Sequence, residues 1–321
     1  MTGPIAPREL ALELAGALRE EVAPELGAHA GRAPAGEGEG GDITFAIDER
    51  AEALLERFLA ERAPDVAFYS EDRGLVSPAG EAEWVLVVDP IDGTRPAMAG
   101  LEAACVSVAL APLAAASAES GSGLTGPTMG DVQAGCVIEV KSGRRFIAER
   151  GRGLEPAPSL SRATDVSRMF WAYGLRGRPM RAIAEVIGDL IDASSVGGGT
   201  FDLGSACFDM TRVATGQLDA YVEPGPRIVA DVPGMREEFE RVGGGAVLNN
   251  SPYDVAAAAL ILEEAGAVIT DAYGEPLAGR PILGSGPEFQ ISCVAAATPE
   301  LHEAIITELD AGVQRLRQKV G

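Results

Sequence analysis

The chain is nearly devoid of histidine. His29 and His302 are the only two in 321 residues, and neither has chemistry-bearing neighbours in sequence. That disfavours histidine acid–base catalysis and histidine-ligated metals, which need clusters. Lysine is equally scarce, with only Lys141 and Lys319, so a catalytic lysine is not expected. The four cysteines, Cys105, Cys136, Cys207 and Cys293, are widely spaced, lack any Cys-x-x-Cys pairing and sit in apolar or small-residue stretches. They read as reduced core residues, not as staples or zinc ligands. Basic residues number 26 against 48 acids, a net charge of −22. Such a surface releases no counterions from a polyphosphate and is repelled by anionic lipid, so no nucleic acid and no membrane partner is expected. No apolar run approaches the roughly 20 residues of a membrane span, and no basic-then-apolar leader begins the chain, so a cytoplasmic protein is expected. An active site here must run on carboxylates, hydroxyls, backbone amides or oxygen-bound metals.

What is present is ample material for a core: 46% of residues are hydrophobic, enough for one large domain or two of ordinary size. Helical periodicity covers 7–26, followed by a small, polar stretch at 27–41 that reads as a loop. Residues 42–47 read as a strand, and from Asp48 the apolar positions Ala51, Leu54, Leu55, Phe58 and Leu59 mark one helical face. Short strands are expected at 67–69, 84–88, 106–110, 134–140 and 145–148, with a long hairpin connection at 114–130. Further helices are expected at 181–192, 204–215, 235–241 and from Pro252 to Gly266, with strands at 218–222, 267–270 and 291–295. Thr298-Pro299 caps a last helix. The prolines near 153–161 suggest two halves, 1–155 and 156–321. Irregular alternation of strands and helices places the chain in the α/β or α+β class with layered sheets.

The chemistry concentrates in Asp89-Pro90-Ile91-Asp92-Gly93-Thr94, directly after an apolar strand. Two carboxylates three residues apart, with a carbonyl between them, form an all-oxygen donor set for a hard divalent cation. Gly93 allows an anion to approach the backbone, and Thr94 adds a hydroxyl. The alternative is an ordinary Asp-Gly turn; the buried strand favours a site, because ligands of open α/β sheets gather at strand carboxyl ends. Three further acidic elements have structural alternatives. Glu71-Asp72, ending a strand, suits plain solvation. Asp254 in Ser251-x-x-Asp254 fits a capping box. Asp48 fits the first turn of a helix.

Together these residues resemble the inositol monophosphatase-like branch of the magnesium-dependent, lithium-sensitive phosphatases. One signature runs from Trp84 to Thr94, the other from Tyr253-Asp254 through an alanine-rich helix to Glu264-Ala265-Gly266. Supporting matches are Asp42 to Asp48, Glu71, Gly204-Ser205-Ala206, Val213 to Gly216 and Tyr221-Val222-Glu223. The resemblance implies a sugar-phosphatase αβαβα sandwich binding two or three Mg2+ ions, with Mn2+ as a substitute. It implies that Glu71, Asp89 and the Ile91 carbonyl hold one metal, that Asp89, Asp92 and Asp254 hold a second, and that a weaker third ion sits near Glu71. Thr94, oriented by Asp48 and helped by Glu71, would activate the attacking water. The amides of Gly93 and Thr94 would bind phosphate, while Gly204, Ser205, Ala206 and Glu223 would face the alcohol part of the substrate. The implied reaction is hydrolysis of a small polyol or sugar phosphate by metal-activated water, inositol monophosphate first, in a homodimer. Fructose 1,6-bisphosphate, histidinol phosphate and 3′-phosphoadenosine 5′-phosphate are rival substrates, and a non-catalytic metal- or phosphate-binding member is the alternative from another class.

The chain also departs from the family pattern. Tyr253 replaces the usual tryptophan, Asp72 a common second glutamate, and Arg95-Pro96 the usual Asn-Phe. The segment 224–250 is long and contains Asp231-Val232-Pro233-Gly234, which mimics the start of the second signature. Asp254 is preferred over Asp231 because only it is followed by the apolar helix and a strand. Gly197 to Gly199 and Gly243 to Gly245 read as loops.

Overall fold

The computed structural model describes residues 7–39, 41, 43–78, 80–113 and 126–321. Most of the expected 114–130 connection and Asp42 therefore lie outside the described residues. The helices are α1 (Pro7–Val22), α2 (Ala46–Arg62), α3 (Thr94–Ala99), α4 (Met180–Ser194), α5 (Ala206–Ala214), α6 (Gly225–Asp231), α7 (Met235–Val242), α8 (Pro252–Ala265) and α9 (Pro299–Val320). The strands are β1 (Pro34–Glu37), β2 (Ile43–Phe45), β3 (Ala67–Ser70), β4 (Gly74–Val76), β5 (Trp84–Asp92), β6 (Cys105–Pro112) and β7 (Ala134–Glu139). They continue with β8 (Arg145–Glu149), β9 (Gly153–Glu155), β10 (Phe170–Tyr173), β11 (Gly199–Phe201), β12 (Ala220–Glu223), β13 (Val268–Thr270) and β14 (Cys293–Ala296).

Seven strands form one mixed sheet in the order β4-β3-β5-β6-β7-β8-β9, and five form a second in the order β11-β10-β12-β14-β13. Period-2 alternation assigns each strand residue to a layer. In β5, Leu86 and Val88 pack with α1 and α2, whereas Val85 and Val87 join the core that holds α5 and α8. In β12, Tyr221 faces that same central core, while Ala220 and Val222 pack with α4 and α9. The result is five layers: α1 and α2, the seven-stranded sheet, α5 and α8, the five-stranded sheet, then α4 and α9. This is the α/β layered sandwich expected from the sequence.

α8 is apolar all round, with Val255 to Leu262 almost entirely buried, because sheets cover both its faces. Gly135 on β7 lets this helix approach closely; a Cβ there would lie 2.9 Å from the Ala257 carbonyl oxygen. Several local expectations need correction. The 27–41 loop contains β1, which pairs antiparallel with β2. β10 was not anticipated, although it pairs with β11 and β12 inside the second sheet; four residues carry too little periodicity to read. Gly199 opens β11 instead of lying in a loop, and α6 occupies part of the unassigned segment after Glu223.

Candidate active site

β5 does not stop at Val88, as its apolar run suggests, but continues to Asp92 through an irregularity in its pairing with β6. Asp89 pairs with Ser107 and Asp92 with Cys105, so three steps on β5 match two on β6. In a regular strand residues three apart face opposite sides; the extra residue turns Asp92 to the side of Asp89. Both then point into the central layer. Asp254 arrives from the first turn of α8, and one carboxylate oxygen from each of Asp89, Asp92 and Asp254 lies within 4.8 Å of the others.

Each acid is held by its own bonds. The Ile91 amide donates to Asp89 Oδ1 at 2.9 Å. The Ser205 hydroxyl and Cys207 amide donate to Asp92 Oδ2 at 2.8 and 2.6 Å. The Ser251 amide donates to Asp254 Oδ2 at 2.6 Å, so the capping box is real and fixes Asp254 within the cluster. Burial pushes all three carboxyls above their usual range; neighbouring acids add to it at Asp89, Glu71 foremost, and at Asp254, where Asp92 does, while at Asp92 the hydrogen bonds from Cys207 and Ser205 oppose it. Carboxylates desolvated against one another are stabilised in the charged form by a hard cation between them, and an all-oxygen set suits such an ion. The donor set therefore fits a divalent metal.

Thr94 opens α3, and its Oγ1 lies 3.1 Å from both Asp48 Oδ1 and the Ile91 carbonyl oxygen. Asp48 also accepts the Phe45 amide at 2.9 Å through Oδ2, so it serves as cap and partner at once. Gly93 has φ +90, and a Cβ on it would lie 2.6 Å from the Ala103 carbonyl oxygen and 2.9 Å from Ser205 Cβ. Only glycine allows the Gly204-Ser205 turn to close against Asp92. Glu71, from the end of β3, lines the same cleft as Asp89, Ile91, Asp92, Gly93, Thr94 and Asp254, as do Gly204, Ser205 and Ala206. The cleft opens to solvent.

Two expected site residues do not line the cleft: Asp48, which touches it only through Thr94, and Glu223. Glu223 is 0% exposed; Arg178 forms an ion pair with it, and the Gly225 amide donates to its Oε1 at 2.8 Å. Arg178 stands between Glu223 and the cleft, and also donates to Asn250 Oδ1 at 3.2 Å. Asp231 is remote from the triad: it bonds the Tyr273 hydroxyl at 3.0 Å and pairs with Arg227. The segment after Glu223 instead returns Leu248, Asn249 and Asn250 to the cleft wall. Sequence reading also missed Arg176, Arg178, Asp202 and Asp209 in that wall. No local pattern distinguishes them from surface charges, since only the packing of α5 and the loop after β10 brings them together.

A model of the inositol monophosphatase family matches residues 6–314. The chain belongs to the inositol monophosphatase family. By class it is a phosphoric monoester hydrolase. Among similar proteins is the fructose-1,6-bisphosphatase/inositol-1-monophosphatase of Methanothermobacter thermautotrophicus, 29% identical over 85% of each chain. Another is the Nus factor SuhB of Vibrio cholerae, 24% identical over 84% of this chain and 82% of that one. The solved structure of the IMPase of Thermotoga maritima shares the family fold at a TM-score of 0.66 and 18% identity, covering 95% of this chain and 97% of its own. Family members are metal-dependent, in keeping with the acidic triad.

Proposed function

We propose that this family member is a magnesium-dependent phosphatase acting on a small polyol or sugar phosphate monoester, inositol monophosphate first. The convergence of Asp89, Asp92 and Asp254 within 4.8 Å, in one cleft with Thr94, whose hydroxyl bonds Asp48, carries this reading. Asp89, Asp92 and Asp254 would hold one ion, Glu71, Asp89 and the Ile91 carbonyl a second, and a weaker third would sit near Glu71. Bound magnesium, or manganese in its place, supplies a Lewis acid for the phosphoryl oxygens and acidifies water. Thr94 Oγ1 orients the attacking water and passes a proton toward Asp48, with Glu71 as the neighbouring base. The Gly93 and Thr94 amides bind phosphoryl oxygens, and the Gly204 to Ala206 turn borders the alcohol part. Water attacks directly, without a covalent enzyme intermediate.

The four described cysteines are all buried free thiols, and no described helix is long and apolar enough to cross a membrane; both suit a cytoplasmic enzyme. We also read the chain as halves 1–155 and 156–321 and as a homodimer, the oligomer expected from the resemblance. A bisphosphate substrate is the second reading. The name of the Methanothermobacter relative and two of the three arginines on the cleft wall, Arg95 and Arg176, favour it.

Phosphate release across a panel of these esters, with magnesium, chelator or lithium, tests the proposal. Release should require the metal and fall with lithium. Release persisting in Asp92→Asn after complete chelation would refute it, and flat release from every ester with metal bound would favour a non-catalytic binder.

A further inference from the structure

Two acids in the cleft, Asp202 and Asp209, have no part in the proposed catalysis, and Asp209 is the more deeply buried. Asp209 lies in the first turn of α5, three residues beyond Ala206, and lines the same cleft as Asp92 and Asp254. Its side chain is 2% exposed, and Oδ1 has no hydrogen-bond partner among the described residues. Arg212, one turn further along α5, pairs with Glu139 and lies over the Phe208 ring at 4.4 Å; its Nε is also without a partner among the described residues, and it does not donate to Asp209 Oδ1. A buried carboxylate oxygen without a donor is costly, and its retention calls for a partner. The turn leading into α5 is fixed relative to the metal-binding acids, because Ser205 and the Cys207 amide both bond Asp92.

Glu223, the acid that the resemblance assigns to the alcohol part of the substrate, is sealed behind Arg178. The cleft therefore has a buried acceptor in a place other than the expected one. We propose that Asp209 is a specificity-determining residue whose Oδ1 accepts a hydrogen bond from a hydroxyl on the alcohol part of the phosphate ester. This assignment rests on the phosphatase reading. It selects polyol esters over esters whose alcohol part carries no second hydroxyl. The bond is worth most in a site that excludes water, where a missing donor leaves the acid unpaired.

The test compares kcat/KM for inositol 1-phosphate and its monodeoxy analogues, using the magnesium-loaded full chain as native, Asp209→Asn and Asp209→Leu proteins. In the native protein, deleting one particular hydroxyl should lower kcat/KM about tenfold or more. In Asp209→Leu the same deletion should matter less than about twofold, with Asp209→Asn between. A purely structural role lowers kcat/KM for all esters by one common factor and leaves the native hydroxyl preference intact; that result overturns the assignment, as does a native protein with no hydroxyl preference. If Asp209→Leu does not fold, Asp209→Asn decides: a preference reduced about threefold or more supports it, and an unchanged one overturns it. A native protein that releases no phosphate from any ester overturns the phosphatase reading itself and this assignment with it.

Discussion

Glu52→Gln should make the protein more stable at pH 8 and leave it nearly unchanged, or slightly less stable, at pH 5. Glu52 sits on α2 behind the end of β3, 1% exposed. It accepts the Ser70 hydroxyl at 2.9 Å and a long contact from the Asp72 amide at 3.4 Å. Burial, reinforced by the Asp72 carboxylate, outweighs these bonds and the weak help of Arg73, and the Glu52 carboxyl is pushed up from 4.5 to about 7. Below pH 4.5 folded and unfolded chains both hold the proton, and the site is neutral to stability. Between pH 4.5 and 7 the unfolded chain releases the proton while the folded chain keeps it, so stability falls as pH rises. Above pH 7 the loss levels off at roughly 3 kcal/mol, from about 1.4 kcal/mol for each tenfold change in proton affinity. Glutamine keeps the shape without the charge, and the rotatable Ser70 hydroxyl can adapt to it. Relative to native, the variant should gain about 1–3 kcal/mol at pH 8 and lose up to about 1 kcal/mol at pH 5. Urea unfolding of both proteins at the two pH values, with chelator present, measures the difference; contributions of the acidic triad cancel between them. A native-to-variant difference that is the same at both pH values would refute the reasoning.

Three other outcomes are expected. Asp254→Asn should cut magnesium-dependent phosphate release on the order of 100-fold or more, while Asp231→Asn leaves it within about twofold; calorimetric magnesium titration of both variants checks that the difference lies in metal binding. Gly93→Ala places a Cβ 2.6 Å from the Ala103 carbonyl oxygen at φ +90, so it should destabilise the fold by about 1–3 kcal/mol and lower kcat. Equal urea midpoints for native and Gly93→Ala would contradict this. Glu223→Gln leaves the 6%-exposed Arg178 without its counter-ion and should cost about 3–5 kcal/mol in unfolding experiments; a fully stable variant would mean that Glu223 is not the residue that fixes Arg178.

The sequence made much of the site legible because its ligands lie in local patterns. The strand-then-acid motif around Asp89 and the cap, proline and terminal glycine around α8 each declare a backbone geometry. Where structure and capping compete for the same side chain, local reading leaves two roles open. Asp254 turns out to fill a cap while facing the cleft, and Asp48 to fill one while accepting the Thr94 hydroxyl, because a carboxylate has two oxygens. β10 and the Arg178–Glu223 pair were illegible. A four-residue strand has too short a period, and an ion pair spanning 45 residues leaves no trace in either neighbourhood.

Scarcity of histidine, lysine and basic surface by itself restricted the chemistry to oxygen donors, and alternating apolar positions by themselves defined the layered α/β class. Local covalent geometry is enough for both, since composition and period need no knowledge of distant contacts. Tertiary structure alone decided three matters. The mismatch in β5–β6 pairing put Asp89 and Asp92 on one face. The path of 224–250 removed Asp231 and delivered Asp254, Asn249 and Asn250. The packing of Arg178 closed off Glu223, and that of α5 left Asp209 on the cleft wall as a buried acid with an oxygen unpartnered among the described residues. Each depends on which segments distant in sequence come to share one buried space, and burial, unlike periodicity, is a property of the assembled layers.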